Sequence, residues 1–110
     1  LQPKRIAELL RTLAEDKKAE EIVLLDISKL SSLSHYFLIT HGNSDRHVKT
    51  IASHLVEEMK QRKMPAWHVE GMQEGKWVLL DFGPVIAHIF YRETREFYGL
   101  ERLWGEAKKI

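Results

Sequence analysis

Tyr36 to Met59, YFLITHGNSDRHVKTIASHLVEEM, reads as a strand, a turn and a helix in immediate succession. Tyr36 to Thr40 is a short aromatic and β-branched run of strand type. Gly42-Asn43-Ser44 is a turn, and Asn43 or Ser44 can accept a hydrogen bond from a free N–H in the first turn of the following helix. Asp45 suits the positive end of that helix. Val48, Ile51, Ala52, Leu55, Val56 and Met59 then recur at the helical period and mark one apolar face. Arg62-Lys63 closes the helix, and Pro65 prevents its continuation. A strand feeding an amphipathic helix predicts a sheet with helices packed on it.

Outward from this unit, the rest of the chain fits the same plan. Pro3 suits the first turn of a helix, and Ile6, Leu9, Leu10 and Leu13 follow at helical spacing up to Lys17-Lys18. Ile22 to Ile27 reads as a buried strand and Ser28 to Ser34 as a loop. On the other side, Ala66 to Val69 reads as a strand. Gln73-Glu74-Gly75-Lys76 is a hairpin-type turn, and Trp77 to Phe82 and Val85 to Tyr91 are two further strands around Gly83-Pro84. A last helical stretch carries Phe97, Tyr98, Leu100, Leu103 and Trp104. The expectation is an α/β fold: a mixed sheet of about five strands, its last three antiparallel, with helices packed on it. No repeat, linker or low-complexity tract interrupts residues 1–110, so one domain is expected.

Composition narrows the function. There is no cysteine, which removes disulfides and thiolate zinc sites and fits a reducing compartment. No apolar run approaches the roughly 18 residues of a membrane span. Leu1-Gln2-Pro3-Lys4-Arg5 lacks the layout of a signal peptide, and a cytoplasmic location is expected. Lys and Arg total 17 against 16 acids, interspersed, for a net charge of +1. That balance shows no basic stripe for holding nucleic acid by its phosphates.

The catalytic patterns are poorly supplied. Gly42-Asn43-Ser44 before a helix can in principle hold a phosphate, but its spacing is neither a Walker loop nor GxGxxG. The same turn followed by an acidic strand resembles nucleotidyltransferases, which need carboxylates converging from one strand face on two metals. Residues on one face recur every second position, and Asp81 is flanked there by Leu79 and Gly83. Asp26 lies between Leu24 and Ser28, so neither acid has a partner. Six histidines, His35, His41, His47, His54, His68 and His88, form no HExxH pattern. They are expected at the surface or in hydrogen bonds, with His88 a satisfied structural group. No GxSxG frame is present. No cofactor, metal or catalytic residue is expected.

One strand invites a binding role. Trp77, Leu79 and Asp81 share one face, and Val78, Leu80 and Phe82 the other. Aromatics are enriched in interface cores, and acids select a basic counterpart. His68 and Glu70 extend the patch on the preceding strand. Against this, Trp77 and Leu79 can equally lie under a helix, with Asp81 a strand-end hydrogen-bonding group, because a strand buried on both faces gives the same pattern.

Several ordered segments resemble the ribosome silencing factor (Iojap-related) family. They are Leu30 to Phe37 (LSSLSHYF), Gly42 to Val48 (GNSDRHV), Trp77 to Gly83 (WVLLDFG), Val85 to Phe90 (VIAHIF), Arg95 to Tyr98 (REFY) and Leu100 to Trp104 (LERLW). The resemblance implies a nucleotidyltransferase-like fold that performs no nucleotidyl transfer. It implies binding to ribosomal protein fourteen of the large subunit, where the small subunit docks. Subunit joining would then be blocked sterically and translation lowered when nutrients are scarce. Homodimers occur in the family. Two positions depart from its pattern: His35 and Pro84 stand where the family usually has acids.

On this basis Trp77, Leu79, Asp81, Glu70 and Tyr91 are expected to form the partner face, and Asp81→Lys to weaken binding without harming the fold. A nucleotide-binding or degenerate nucleotidyltransferase domain using the Gly42–Ser44 turn is the alternative. A self-associating module with a homodimer patch around Trp77 is a third.

Overall fold

Two amphipathic helices cover one side of a six-stranded sheet. A computed structural model describes all residues, 1–110. In chain order the elements are α1 (Pro3–Asp16), β1 (Glu20–Asp26), β2 (Tyr36–Gly42), α2 (Asp45–Gln61), β3 (His68–Glu70), β4 (Trp77–Asp81) and β5 (Val85–Tyr91). A terminal segment follows: α3 (Arg92–Tyr98), α4 (Leu100–Leu103) and β6 (Lys108–Lys109). The strand order is β3-β4-β5-β2-β1-β6. β2 and β5 are parallel and the other pairs antiparallel, so the sheet is mixed, as expected.

The main core lies between helices and sheet. Ile6, Leu10 and Leu13 of α1 and Val48, Ile51, Leu55 and Met59 of α2 meet Leu24, Leu38, Val78, Leu80, Val85, Ala87 and Ile89. The helix period and the strand period each place one apolar face toward the other layer. Ser44 caps α2, its hydroxyl accepting the His47 N–H at 3.0 Å. His47 ties the helices together: its Nδ1 accepts the Asn43 N–H at 3.0 Å, and its Nε2–H donates to the Lys17 carbonyl at 2.8 Å.

Several boundaries differ from the sequence reading: β1 and β4 each end one residue earlier, β2 runs on to Gly42, and the larger differences have physical causes. β1 begins at Glu20, not Ile22, because Glu20 pairs with His41 across a bulge. The bulge turns Glu21 into the left-handed region at φ 45. β3 is His68–Glu70, not Ala66–Val69. Its partner β4 ends at Asp81, opposite His68, so pairing stops there with a last bond from the Trp67 N–H to the Asp81 carbonyl at 2.7 Å. The terminal helix breaks at Gly99, whose φ of 56 caps α3. β6 was not expected at all: two lysines pair with Leu25 and Asp26 at the sheet edge.

The face away from α1 and α2 is only half covered. Leu25, Ile27, Phe37, Ile39 and Phe90 form a small second core, sealed by Leu100, Trp104 and Ala107 of the terminal segment. That cover lies on the β1–β2–β5 side. On this face β3 and β4 are left largely open, with only Tyr98 of α3 reaching Trp77.

Candidate functional site

The uncovered half of the sheet is the candidate site. β4 carries Trp77, Leu79 and Asp81 on this side, all half-buried, while Val78 and Leu80 are fully buried on the other. The register sets their neighbours: His68 stands opposite Asp81, Glu70 opposite Leu79, Ile86 opposite Asp81 and His88 opposite Leu79. Four of the expected residues, Trp77, Leu79, Asp81 and Glu70, therefore share one face. The alternative of a strand covered by a helix holds only in part. Trp77 touches the terminal segment, its ring 4.8 Å from that of Tyr98, yet it is not buried beneath it.

Tyr91 does not share that face. Trp77 pairs with Phe90, so the next residue of β5 points to the opposite side. There Tyr91 packs against the helix-side core, and Lys76 Nζ lies 4.6 Å from its ring centroid. The strand assignments alone do not give this result, because the parity of Tyr91 relative to Trp77 depends on the register between β4 and β5.

The acids are arranged in two ways. Glu70 is exposed, and its carboxylate accepts from His68 Nε2 at 2.6 Å. Asp81 Oδ1 accepts the Gly83 N–H at 2.8 Å and so closes the turn into β5. Gly83 has φ +87, and a Cβ there would come within 2.7 Å of the exposed Trp67 ring, so any other residue would be strained at this turn and would displace that ring. Asp81→Lys would therefore disturb this turn as well as the surface charge. Pro84 supplies no acid, but its carbonyl accepts the N–H groups of both His35 and Tyr36, at 3.0 and 3.1 Å.

Sequence reasoning missed Ile86, Tyr98 and Phe97 at this site. Tyr98 is 50% exposed and Phe97 81% exposed, their rings 5.2 Å apart, and Tyr98 continues the aromatic surface of Trp77. In the sequence both look like the buried face of a helix. No local signal marks them as surface.

A polar network holds the terminal segment down. Arg95 donates to Glu101 at 2.8 Å, to the Glu21 carbonyl at 2.8 Å and to His41 Nδ1 at 2.9 Å. His41 can accept from Arg95 only if its proton sits on Nε2, which faces Glu20 Oε1 at 3.2 Å. Burial, and then the Arg95 charge, lower the His41 pKa and favour this neutral form. The Arg95 hydrogen bond likewise holds the Glu101 carboxyl below its usual range. The bulged Glu21 carbonyl, exposed by the left-handed turn, is thus an anchor for α3.

The other sequence candidates have settled structural roles. Three N–H groups of the Gly42–Ser44 turn and first turn of α2 are engaged within the chain: Asn43 with His47, His47 with Ser44, and Arg46 with Asp45. This geometry does not favour a phosphate cradle. His54 pairs with Asp16 at 3.3 Å. His88 differs from its expectation as a satisfied group. Its Nδ1 accepts the Trp77 indole N–H at 3.2 Å, but its buried Nε2 has no partner. No helix is long and apolar enough to cross a membrane.

Comparison with known proteins places this geometry in context. The family model described as "Ribosomal silencing factor during starvation" matches residues 2–110. The chain is 38% identical over 107 residues to the ribosomal silencing factor RsfS of Bacillus subtilis, covering 97% of this chain and 91% of that protein. It is 32% identical over 100 residues to a mouse protein named for mitochondrial assembly of the ribosomal large subunit, spanning 88% of this chain and 44% of the mouse protein. A crystal structure of a protein from Chromobacterium violaceum superposes with a TM-score of 0.93 at 34% identity, covering 96% of this chain and 88% of that one.

Proposed function

The chain belongs to the ribosomal silencing factor family, and from that premise we propose that it acts by binding the large ribosomal subunit through ribosomal protein fourteen. Bound there, it sterically blocks joining of the small subunit and lowers translation under nutrient limitation, in the cytoplasm. The action needs shape and surface, with no bond made or broken by the protein.

The observation that carries this reading is the uncovered sheet face. Trp77, Leu79, Ile86 and Tyr98 offer a partly exposed apolar strip, bordered by Glu70 and Asp81. Aromatic anchors bordered by charge are the usual composition of a binding surface. The acids select a basic partner surface, as a ribosomal protein presents, and repel bare RNA. The same strip is also the surface on which two copies would meet, so a homodimer and the ribosome complex compete for it.

Sedimentation with purified large subunits, followed by a subunit-joining assay, tests the proposal. Trp77→Ala and the pair Glu70→Lys with Asp81→Asn are the informative variants, since asparagine keeps an acceptor for Gly83. Each is expected to weaken binding at least about tenfold while remaining folded. Full-strength binding by both would move the interface off this face.

A further inference from the structure

We infer that His88 is a positioning residue of the partner face: its imidazole Nδ1 holds the indole N–H of Trp77 and fixes the angle at which that ring meets the ribosomal partner. This rests on the reading that Trp77 lies in the contact.

The imidazole sits on β5 in a row of rings beneath the open face. Phe37 meets it edge-on at 4.6 Å, and Phe90 stacks along the strand at 6.4 Å with planes 15° apart. These contacts leave His88 only 4% exposed. Trp77 Nε1 is a donor only, so Nδ1 must be the unprotonated acceptor and the ring hydrogen must lie on Nε2. Burial keeps the ring neutral by pushing the His88 pKa down to about 4, so an acceptor nitrogen is retained at neutral pH.

The Nε2–H is the point on which the inference turns. It is the one buried side-chain polar atom in the molecule without a hydrogen-bond partner. A buried donor left unpaired is destabilising, and a leucine would fill an aromatic-lined site without that penalty. Packing therefore does not account for an imidazole here, whereas the bond to Trp77 does. Trp77 needs such a tether because it is half-buried. Its ring leans on Phe90 at 5.0 Å and Tyr98 at 4.8 Å with tilted planes, which orient it loosely. Directional hydrogen bonding supplies the missing constraint, and a pre-oriented anchor binds with less ordering cost.

The test compares His88→Leu, His88→Asn, Trp77→Phe and Trp77→Ala in melting, in Trp77 fluorescence and in sedimentation with purified large subunits. Fluorescence is read in a background where Trp67 and Trp104 are phenylalanine. His88→Leu is expected to melt no lower than the parent yet bind about tenfold more weakly, with a shifted indole emission. His88→Asn, which can place an oxygen near Nδ1, is expected to recover binding. In Trp77→Phe, which has no donor, adding His88→Leu is expected to change binding no further. A merely structural histidine would instead lose stability and binding together. Full-strength binding by His88→Leu, alongside weak binding by Trp77→Ala, overturns the inference and leaves the interface reading intact. Full-strength binding by Trp77→Ala removes the interface reading and the inference with it. If His88→Leu does not fold, Trp77→Phe decides: undiminished binding by that variant overturns the inference.

Discussion

On the helix side of the sheet, Val78, Leu80, Val85, Ala87 and Ile89 are wholly buried beneath α1 and α2. On the reverse side of the same strands, Trp77, Leu79 and Ile86 keep part of their surface in water, and the cover over β1 and β2 is held in part by a polar network. Eighteen buried residues form the helix-side core and five the other. Burial of apolar area is the main source of stability, so the helix side carries most of it. The reverse side contributes less and is free to present a surface. The terminal segment adds to the contrast, since α3 and α4 contain no buried residue and rely on Arg95, Leu100 and Trp104 to stay in place.

Adjacent leucines of β4 probe this difference directly. Leu80→Ala opens a cavity in the larger core and is expected to cost about 4 kcal/mol in chemical denaturation. Leu79→Ala, one position away on the open face, is expected to cost about 1 kcal/mol or less while weakening subunit binding. Equal costs at the two positions would mean that the open face is packed after all.

Lowering the pH loads the reverse face selectively. The His88 pKa is depressed from 6.5 to about 4, so above pH 6.5 it is neutral in both folded and unfolded chains and adds no pH dependence. Between pH 6.5 and 4 the unfolded chain takes up a proton that the folded chain refuses, and stability falls with pH by about 3 kcal/mol in total. His41, depressed by burial and Arg95, acts in the same direction. The difference between the parent and His88→Leu stability curves isolates the His88 share. A flat difference across that window would contradict a buried neutral imidazole.

The most local expected effect concerns the terminal segment. Arg95→Met removes the bonds to Glu101, to the Glu21 carbonyl and to His41, and is expected to lower local stability by about 2 kcal/mol. Amide exchange should quicken across residues 92–110 while α1, α2 and the larger core keep their protection. Uniform loss of protection over the whole chain would show that the two faces unfold as one unit.

Much of the fold was legible because its signals are local. The helix after the Gly42–Ser44 turn and the limits of β5 follow from a 3.6-residue or two-residue period and a turn residue, while the choice of Ser44 over Asn43 as the cap came from the fold. That Trp77, Leu79 and Asp81 share one face of β4 was legible for the same reason, as was the family, since ordered motifs survive in the residues themselves. The side of the sheet on which Tyr91 lies was not legible, because parity between strands depends on pairing register. Nor was β6, which has no apolar pattern and exists through its pairing with β1. The unpaired nitrogen of His88 and the contact between Trp77 and Tyr98 join residues distant along the chain. Periodicity and caps act within a few residues and are written into neighbours. Register, cover and exposure arise when distant segments meet, so they belong to the assembled sheet.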